Sequence, residues 1–222
     1  MAYHIDAQNV SLEDLRKRIE ASDLVPSRSS LLDGIKVKLE ALEQLGITTL
    51  ACLRSELKNT SRLEAVSNQT GIDKQYLVLL RREIESYFPK PIALKDFDWL
   101  PKGEIAKLEE NGMRDTARLY KAASSIKSRT ELVKSTDVDV ATLEAIVQLA
   151  DLARVQWVSP KFARMLVEAG YDSASKVAAA DPEDLCEALE VVNEGDRFFK
   201  GKIGLRDIKR LVRAASYVPS GV

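Results

Sequence analysis

KVKLEALEQLGITTLACL (residues 36–53), KGEIAKLEENGMRDTARL (102–119) and KFARMLVEAGYDSASKV (161–177) are one phrase written three times. Each runs apolar residues at helical spacing into a glycine, then a short polar step, then a second apolar stretch. The marker glycines are Gly46, Gly112 and Gly170, 66 and 58 residues apart. The offset of 66 also carries Thr70-Gly71-Ile72-Asp73 onto Thr136-Asp137-Val138-Asp139, and Leu42, Leu53 and Leu77 onto Leu108, Leu119 and Leu143. One offset shared by two separate stretches marks an internal repeat. The third copy is shorter and rests on the phrase and the helix that ends the chain.

Each copy reads as helices. Ile35, Leu39, Leu42 and Leu45 recur at helical spacing, and Gly46 stands where a left-handed C-cap ends a helix. Thr48 or Thr49 caps the next helix, which carries Leu50, Leu53 and Leu57. A third helix follows over 61–69, and Asp73 caps a fourth with Leu77, Leu80, Ile84 and Tyr87 on one face. In the second copy Asp115 and Asp139 are the caps, with a short helix over 130–135 between them. In the third, Asp172 or Ser173 caps one helix and Asp181-Pro182 opens another. Ahead of the repeats, Ser11-Leu12-Glu13-Asp14 starts a helix that runs to about Ala21, and Pro26, Ser27, Ser29 and Ser30 read as a linker. The expected fold is all-α. An N-terminal helical arm (1–30) precedes three units (31–92, 93–154 and 155–222, the last with a basic C-terminal helix). Each unit leaves an apolar face uncovered, so the units are expected to stack into one array. The arm either packs on the repeats or swaps onto a partner chain.

Composition narrows the chemistry. The 222 residues carry 33 Lys plus Arg against 34 Asp plus Glu, a balance that argues against a surface basic all over but leaves room for one basic face. The single histidine, His4, lies in an N-terminal stretch expected to fray, which leaves no positioned imidazole for a catalytic triad. Cys52 and Cys186 are far apart, so no zinc or redox pair is suggested, and both are expected to be buried. No glycine-rich phosphate loop, calcium loop or zinc-protease motif is present; Gly201-Lys202-Ile203-Gly204 reads as a turn, and Glu109-Glu110 as exposed charge. The start of the chain lacks the basic flank and apolar run of a secretory signal, and no apolar stretch approaches the roughly 20 residues of a membrane span. A cytoplasmic protein that is not an enzyme, with no cofactor, no metal and no membrane partner, is the expectation.

The stretch Trp157-Val158-Ser159-Pro160-Lys161-Phe162-Ala163-Arg164-Met165-Leu166, ending at Ala169-Gly170-Tyr171, resembles a helix-hairpin-helix motif; Pro160, Ala163, Leu166 and Gly170 fall in register with it. With Val177-Ala178, Asp181-Pro182-Glu183-Asp184-Leu185 and Val192-Asn193, it looks like an uncharacterised prokaryotic family of helix-hairpin-helix repeats known as a domain of unknown function. The resemblance spans most of residues 31–217. It implies a hairpin in each unit. In DNA-binding hairpins two glycines let main-chain N–H groups approach a phosphate. Trp157 and Ser159 occupy those positions in the third unit, Trp99 and Pro101 in the second, Asp33 and Ile35 in the first. The packing half of the motif is kept and the phosphate-binding half is not. Trp99 and Trp157 are expected to be equivalent core wedges.

One charge feature stands out. Residues 181–196 hold seven acids and no base; residues 197–213 hold seven bases and one acid. Arg206, Lys209, Arg210 and Arg213 form a stripe on the last helix, opposite Leu205, Ile208, Leu211, Val212 and Ala215. Such a stripe either tracks phosphates or an acidic partner, or pairs with the acidic block of its own unit at little gain. Phe198-Phe199 beside Lys200 either stacks on bases or packs the loop. The expected function is a helical-repeat binding or scaffold protein presenting a surface to a macromolecular, most simply protein, partner. The alternative is nucleic-acid binding through Ser159, Lys161, Lys200, Lys202, Arg206, Lys209, Arg210 and Arg213. An enzyme or small-ligand carrier needs a buried carboxylate cluster or an apolar cavity. The oligomeric state is left open.

Overall fold

A computed structural model describes residues 2–219, so the last residues of the expected third unit, 220–222, lie outside the described residues. Among those described there are helices and two isolated β-bridges but no strand, and no helix is long and apolar enough to cross a membrane. The chain divides into two compact units. One is Asp6–Phe88; the other takes the residues up to Ile5 together with the chain from Pro89 onward.

The Asp6–Phe88 unit holds α1 (Leu12–Ala21), a 3-10 turn (Pro26–Leu32), α2 (Ile35–Gln44), α3 (Leu50–Leu57), α4 (Thr60–Thr70) and α5 (Lys74–Glu85). Ser11 caps α1 by accepting from the Asp14 N–H at 3.0 Å, and Asp14 reaches back to the Ser11 N–H. Leu12, Leu15 and Ile19 recur on the face that α1 buries completely, and α1 packs on α2. The expected linker at 26–30 is a 3-10 turn instead. Pro26 fixes its entry, Leu31 is fully buried, Tyr76 Oη donates to the Leu31 carbonyl at 2.9 Å, and Arg28 pairs with the buried Glu83. Cys52 is exposed, contrary to expectation. Leu50, Leu53 and Leu57 claim the inner face of α3, and Cys52 falls on the other side of that short helix.

The second unit holds a 3-10 turn (Leu94–Asp96), α6 (Lys102–Glu110), α7 (Thr116–Ala122), α8 (Ile126–Thr136), α9 (Val140–Leu152), α10 (Pro160–Glu168), α11 (Ala174–Ala178), α12 (Pro182–Val192), a 3-10 turn (Glu194–Asp196) and α13 (Leu205–Ser216). Helix α8 begins four residues before the expected start because Ser125 and Ser128 cap it reciprocally.

The same turn recurs at all three marker glycines. Gly46, Gly112 and Gly170 have φ of 86°, 87° and 88°, a region that glycine enters without a Cβ penalty. The next amide bonds back to the helix: Ile47 N–H to Leu42 O (3.1 Å), Met113 to Leu108 (3.0 Å) and Tyr171 to Leu166 (2.8 Å). This is a Schellman cap. Three residues past each glycine an N-cap follows: Thr49, Asp115 and Ser173. The amide after each N-cap then finds an outside acceptor. Leu50 donates to Val10 O and Thr116 to Ile92 O, both at 2.9 Å, whereas Ala174 donates to the Asp151 carboxylate at 2.7 Å. In the third copy a side chain does the work that a main-chain carbonyl does in the other two.

Candidate functional site

Residues 153–159 form the turn that leads from α9 into α10. Ser159 is the N-cap of α10 and accepts from the Phe162 N–H at 3.2 Å; Pro160 follows at the first helical position, and Lys161 is exposed beside it. Two residues before the cap, Trp157 has φ of +69° and is 49% exposed. It is not the core wedge expected. Trp99 is partly buried, edge-on to Phe97 at 5.5 Å, so the two tryptophans are not equivalent. The backbone conformation that a glycine would supply is retained at Trp157 without the glycine. A bulky L-residue there is strained by about 1–2 kcal/mol.

What lies over Trp157 is the basic helix. The Arg210 guanidinium stands 4.6 Å from the indole centroid, so the α9–α10 turn and the stripe of α13 meet. Other members of the stripe are engaged elsewhere. Lys209 pairs with Glu183 at 2.8 Å and Lys202 approaches Glu190 at 3.7 Å, both in the acidic block, while Arg210 also reaches Asp207 at 3.3 Å. Lys200, Arg206 and Arg213 are exposed. Phe198 is buried and Phe199 stands edge-on to Phe162 at 5.9 Å, so this pair packs the loop. Two cations that the stripe did not include belong to the same region. Arg164 and Arg197 share Glu168 at 2.8 and 2.6 Å, and both face the Phe198 ring. Arg164 sits at i, i+4 to Glu168, a spacing visible in the sequence.

The strain at Trp157 has a sign that can be read in stability. Alanine usually outranks glycine inside ordered structure. Here Trp157→Gly should be more stable than Trp157→Ala by about 1 kcal/mol, since alanine keeps the left-handed penalty and glycine loses it. Paired urea melts give the difference directly.

A second cluster lies at the end of α9. Arg154, 2% exposed, donates to the carbonyls of Tyr3 (3.0 Å) and Pro219 (2.6 Å), to Tyr120 Oη (2.6 Å), and to Asp151. Asp151 also holds the Ala174 N–H. The expected frayed start of the chain is anchored here: Tyr3 Oη bonds Thr116 Oγ1 at 2.7 Å, and His4 Nε2 bonds the Pro89 carbonyl at 2.7 Å. Burial pushes the Tyr3 phenol from the usual 10 up to about 12, outweighing the Thr116 bond and the Arg154 charge, which pull the other way. The folded chain therefore holds this proton more tightly than the unfolded one. Its contribution is complete below pH 10 and is lost as pH rises toward 12. An ultraviolet titration should show two late phenols near pH 12, Tyr3 and the Tyr76 that burial also pushes up to about 12, of which Tyr3→Phe removes one.

Among the described residues no three His, Cys, Asp or Glu side chains gather to hold a metal ion. The Asp6–Phe88 unit carries two open clefts. One of about 770 Å³ is lined by Asp33, Lys38, Asp73, Lys74, Tyr76 and Arg82, and one of about 550 Å³ by Arg54, Lys58, Arg81 and Glu85 among others. Both mix charges of opposite sign. Glu83 and Asp151 are buried acids, each against an arginine and in different units.

Residues 101–217, more than half of the chain, match the family described as Domain of unknown function (DUF4332). The chain belongs to this family. No curated protein and no solved structure matches the chain. The DUF4332 segment contains the turn between α9 and α10, the basic helix, and Thr116, Tyr120, Asp151 and Arg154; it does not reach Tyr3 or Pro219.

Proposed function

We propose that this DUF4332 protein is a non-enzymatic helical-repeat binding or scaffold protein, built of three hairpin-containing units, that presents the third hairpin and the basic C-terminal helix to a macromolecular partner. The observation that carries this reading is Trp157, half-exposed in a left-handed conformation with Arg210 over its ring. Strain of this kind persists where a side chain is held for a purpose other than packing, and exposed tryptophan beside arginine is the composition of interface hot spots. Affinity capture with the wild-type chain and with Trp157→Gly tests it. The variant keeps the fold and removes the indole. A partner retained by the first and lost by the second is the expected result; identical captured sets overturn the reading.

Nucleic acid as that partner is a second reading, favoured by the contact between the hairpin turn and the stripe. Against it, Lys209 and Lys202 are already paired with the acidic block. Titration with double- and single-stranded DNA and RNA at two salt concentrations decides. Binding that weakens with salt and is lost in Arg206/Lys209/Arg210/Arg213→Ala supports nucleic acid; no binding at low salt removes it and leaves a protein partner.

A further inference from the structure

We propose that the cleft between α3 and α5 is a binding site for a small organic phosphomonoester, held as its dianion. The two helices pack together in the Asp6–Phe88 unit, and the cleft beside them encloses about 550 Å³. Small-molecule sites span roughly 300–1,000 Å³. Arg54 and Lys58, one turn apart at the C-terminal end of α3, line it, as do Arg81 and Glu85, one turn apart on α5. Ala7 and Ala51 complete the lining, and their short side chains leave the space open.

Three cations stand here against one carboxylate. Arg54 donates its Nε–H and Nη2–H to the two Glu85 oxygens, both at 2.9 Å, and lies over the Phe88 ring at 3.6 Å. The fork is thus held by one edge and one face, and its Nη1 has no hydrogen-bond partner among the described residues. Lys58 and Arg81 are in no ion pair among the described residues; Arg81 reaches only the Leu57 carbonyl, at 3.4 Å. Their fields nonetheless converge. Glu85 is held below the usual carboxylate range first by the Arg54 hydrogen bonds, then by the charges of Arg54, Arg81 and Lys58, against a smaller upward push from burial.

Helix capping accounts for only part of this. The C-terminus of α3 supplies about half a negative charge and Glu85 one, which leaves a positive surplus of about one and a half. The other cleft of the same unit carries no such surplus. There Lys38, Lys74 and Arg82 face Asp33 and Asp73, and Lys74 also pairs with Glu64. A phosphodiester brings one negative charge, whereas a phosphomonoester brings nearly two above its second pKa of about 6. The monoester matches the surplus. Every residue of the cleft lies outside 101–217, so the inference is independent of the binding face at Trp157 and α13.

Calorimetric titration of the full chain with phenyl phosphate, and with phenyl sulfate as its singly charged counterpart, tests the proposal. At about pH 7.5 the phosphate should bind with a Kd of about 1 mM or tighter, and about tenfold more tightly than the sulfate. The preference should vanish at about pH 5, where the ester has regained its proton. Lys58→Gln/Arg81→Gln should weaken binding about tenfold or more, while Arg206/Lys209/Arg210/Arg213→Ala should bind as the wild type does. No saturation up to about 10 mM, equal affinity for the sulfate, or loss in the α13 variant but not in the cleft variant overturns the proposal. A capped phosphoserine peptide should bind no more tightly than phenyl phosphate; tighter binding overturns the small-molecule ligand in favour of a phosphorylated protein. If the double variant does not fold, Lys58→Gln alone decides, since that lysine is exposed and in no ion pair. It should weaken binding about threefold; unchanged affinity overturns the proposal.

Discussion

Replacing Arg154 by methionine should cost about 3–5 kcal/mol of stability, the range for removing one partner of a buried ion pair. The guanidinium is 2% exposed and the Asp151 carboxylate beside it 3%. Methionine fills much of the same volume, so the loss is electrostatic rather than a cavity. Asp151 keeps the Ala174 N–H but loses its counter-charge, and Tyr120 Oη and the carbonyls of Tyr3 and Pro219 lose a donor. The origin of the cost can be isolated. Asparagine at 151 still offers an oxygen to the Ala174 N–H but carries no charge. Asp151→Asn/Arg154→Met should therefore be more stable than Arg154→Met alone, although it departs further from the natural sequence. Urea denaturation of the two single variants and the double variant closes the cycle. If the double variant is no better than Arg154→Met, the lost hydrogen bonds and not the bare carboxylate dominate.

The parts of this fold legible in the sequence are those fixed by neighbours in the chain. Ser11, Asp73, Asp115, Asp139 and Asp181 cap where residue type and spacing put them, and of the open pairs Thr48/Thr49 and Asp172/Ser173 it is Thr49 and Ser173 that cap, because a cap bonds an amide two or three residues on. Gly46, Gly112 and Gly170 end their helices for the same local reason. The rest depends on what folds back. Trp157 reads as a core aromatic, yet its φ is set by the turn between α9 and α10 and its cover by Arg210, 53 residues later. Asp151 and Arg154 look like a polar end to an apolar helix; their burial depends on Tyr3 and Pro219, from opposite ends of the described chain. The stripe on α13 is plain as a stripe, but that Lys209 meets Glu183 is a fact of how α12 and α13 pack. The candidate site is thus half legible: its residue types stand in the sequence, and their pairing does not.

Leu42, Leu108 and Leu166 give the sharpest check on that local logic. Each is fully buried, and each offers the carbonyl that closes the Schellman cap behind its glycine. Truncation to alanine removes the same atoms from the same place in the turn, leaving the main-chain bond intact, so the cost is that of burial and the cavity left behind. About 2–5 kcal/mol is expected at each position. Leu45, one residue before Gly46 and 39% exposed, supplies the contrast; alanine there should change stability by no more than about 0.5 kcal/mol. The three buried leucines should also resemble one another more than leucines drawn from elsewhere in the core. The cavity term depends on how far neighbours can collapse, and the Schellman turn holds one wall of each site in the same geometry. Denaturant midpoints for the four variants decide it. If Leu166→Ala falls far below the other two, the shorter third copy shares the turn but not the packing behind it.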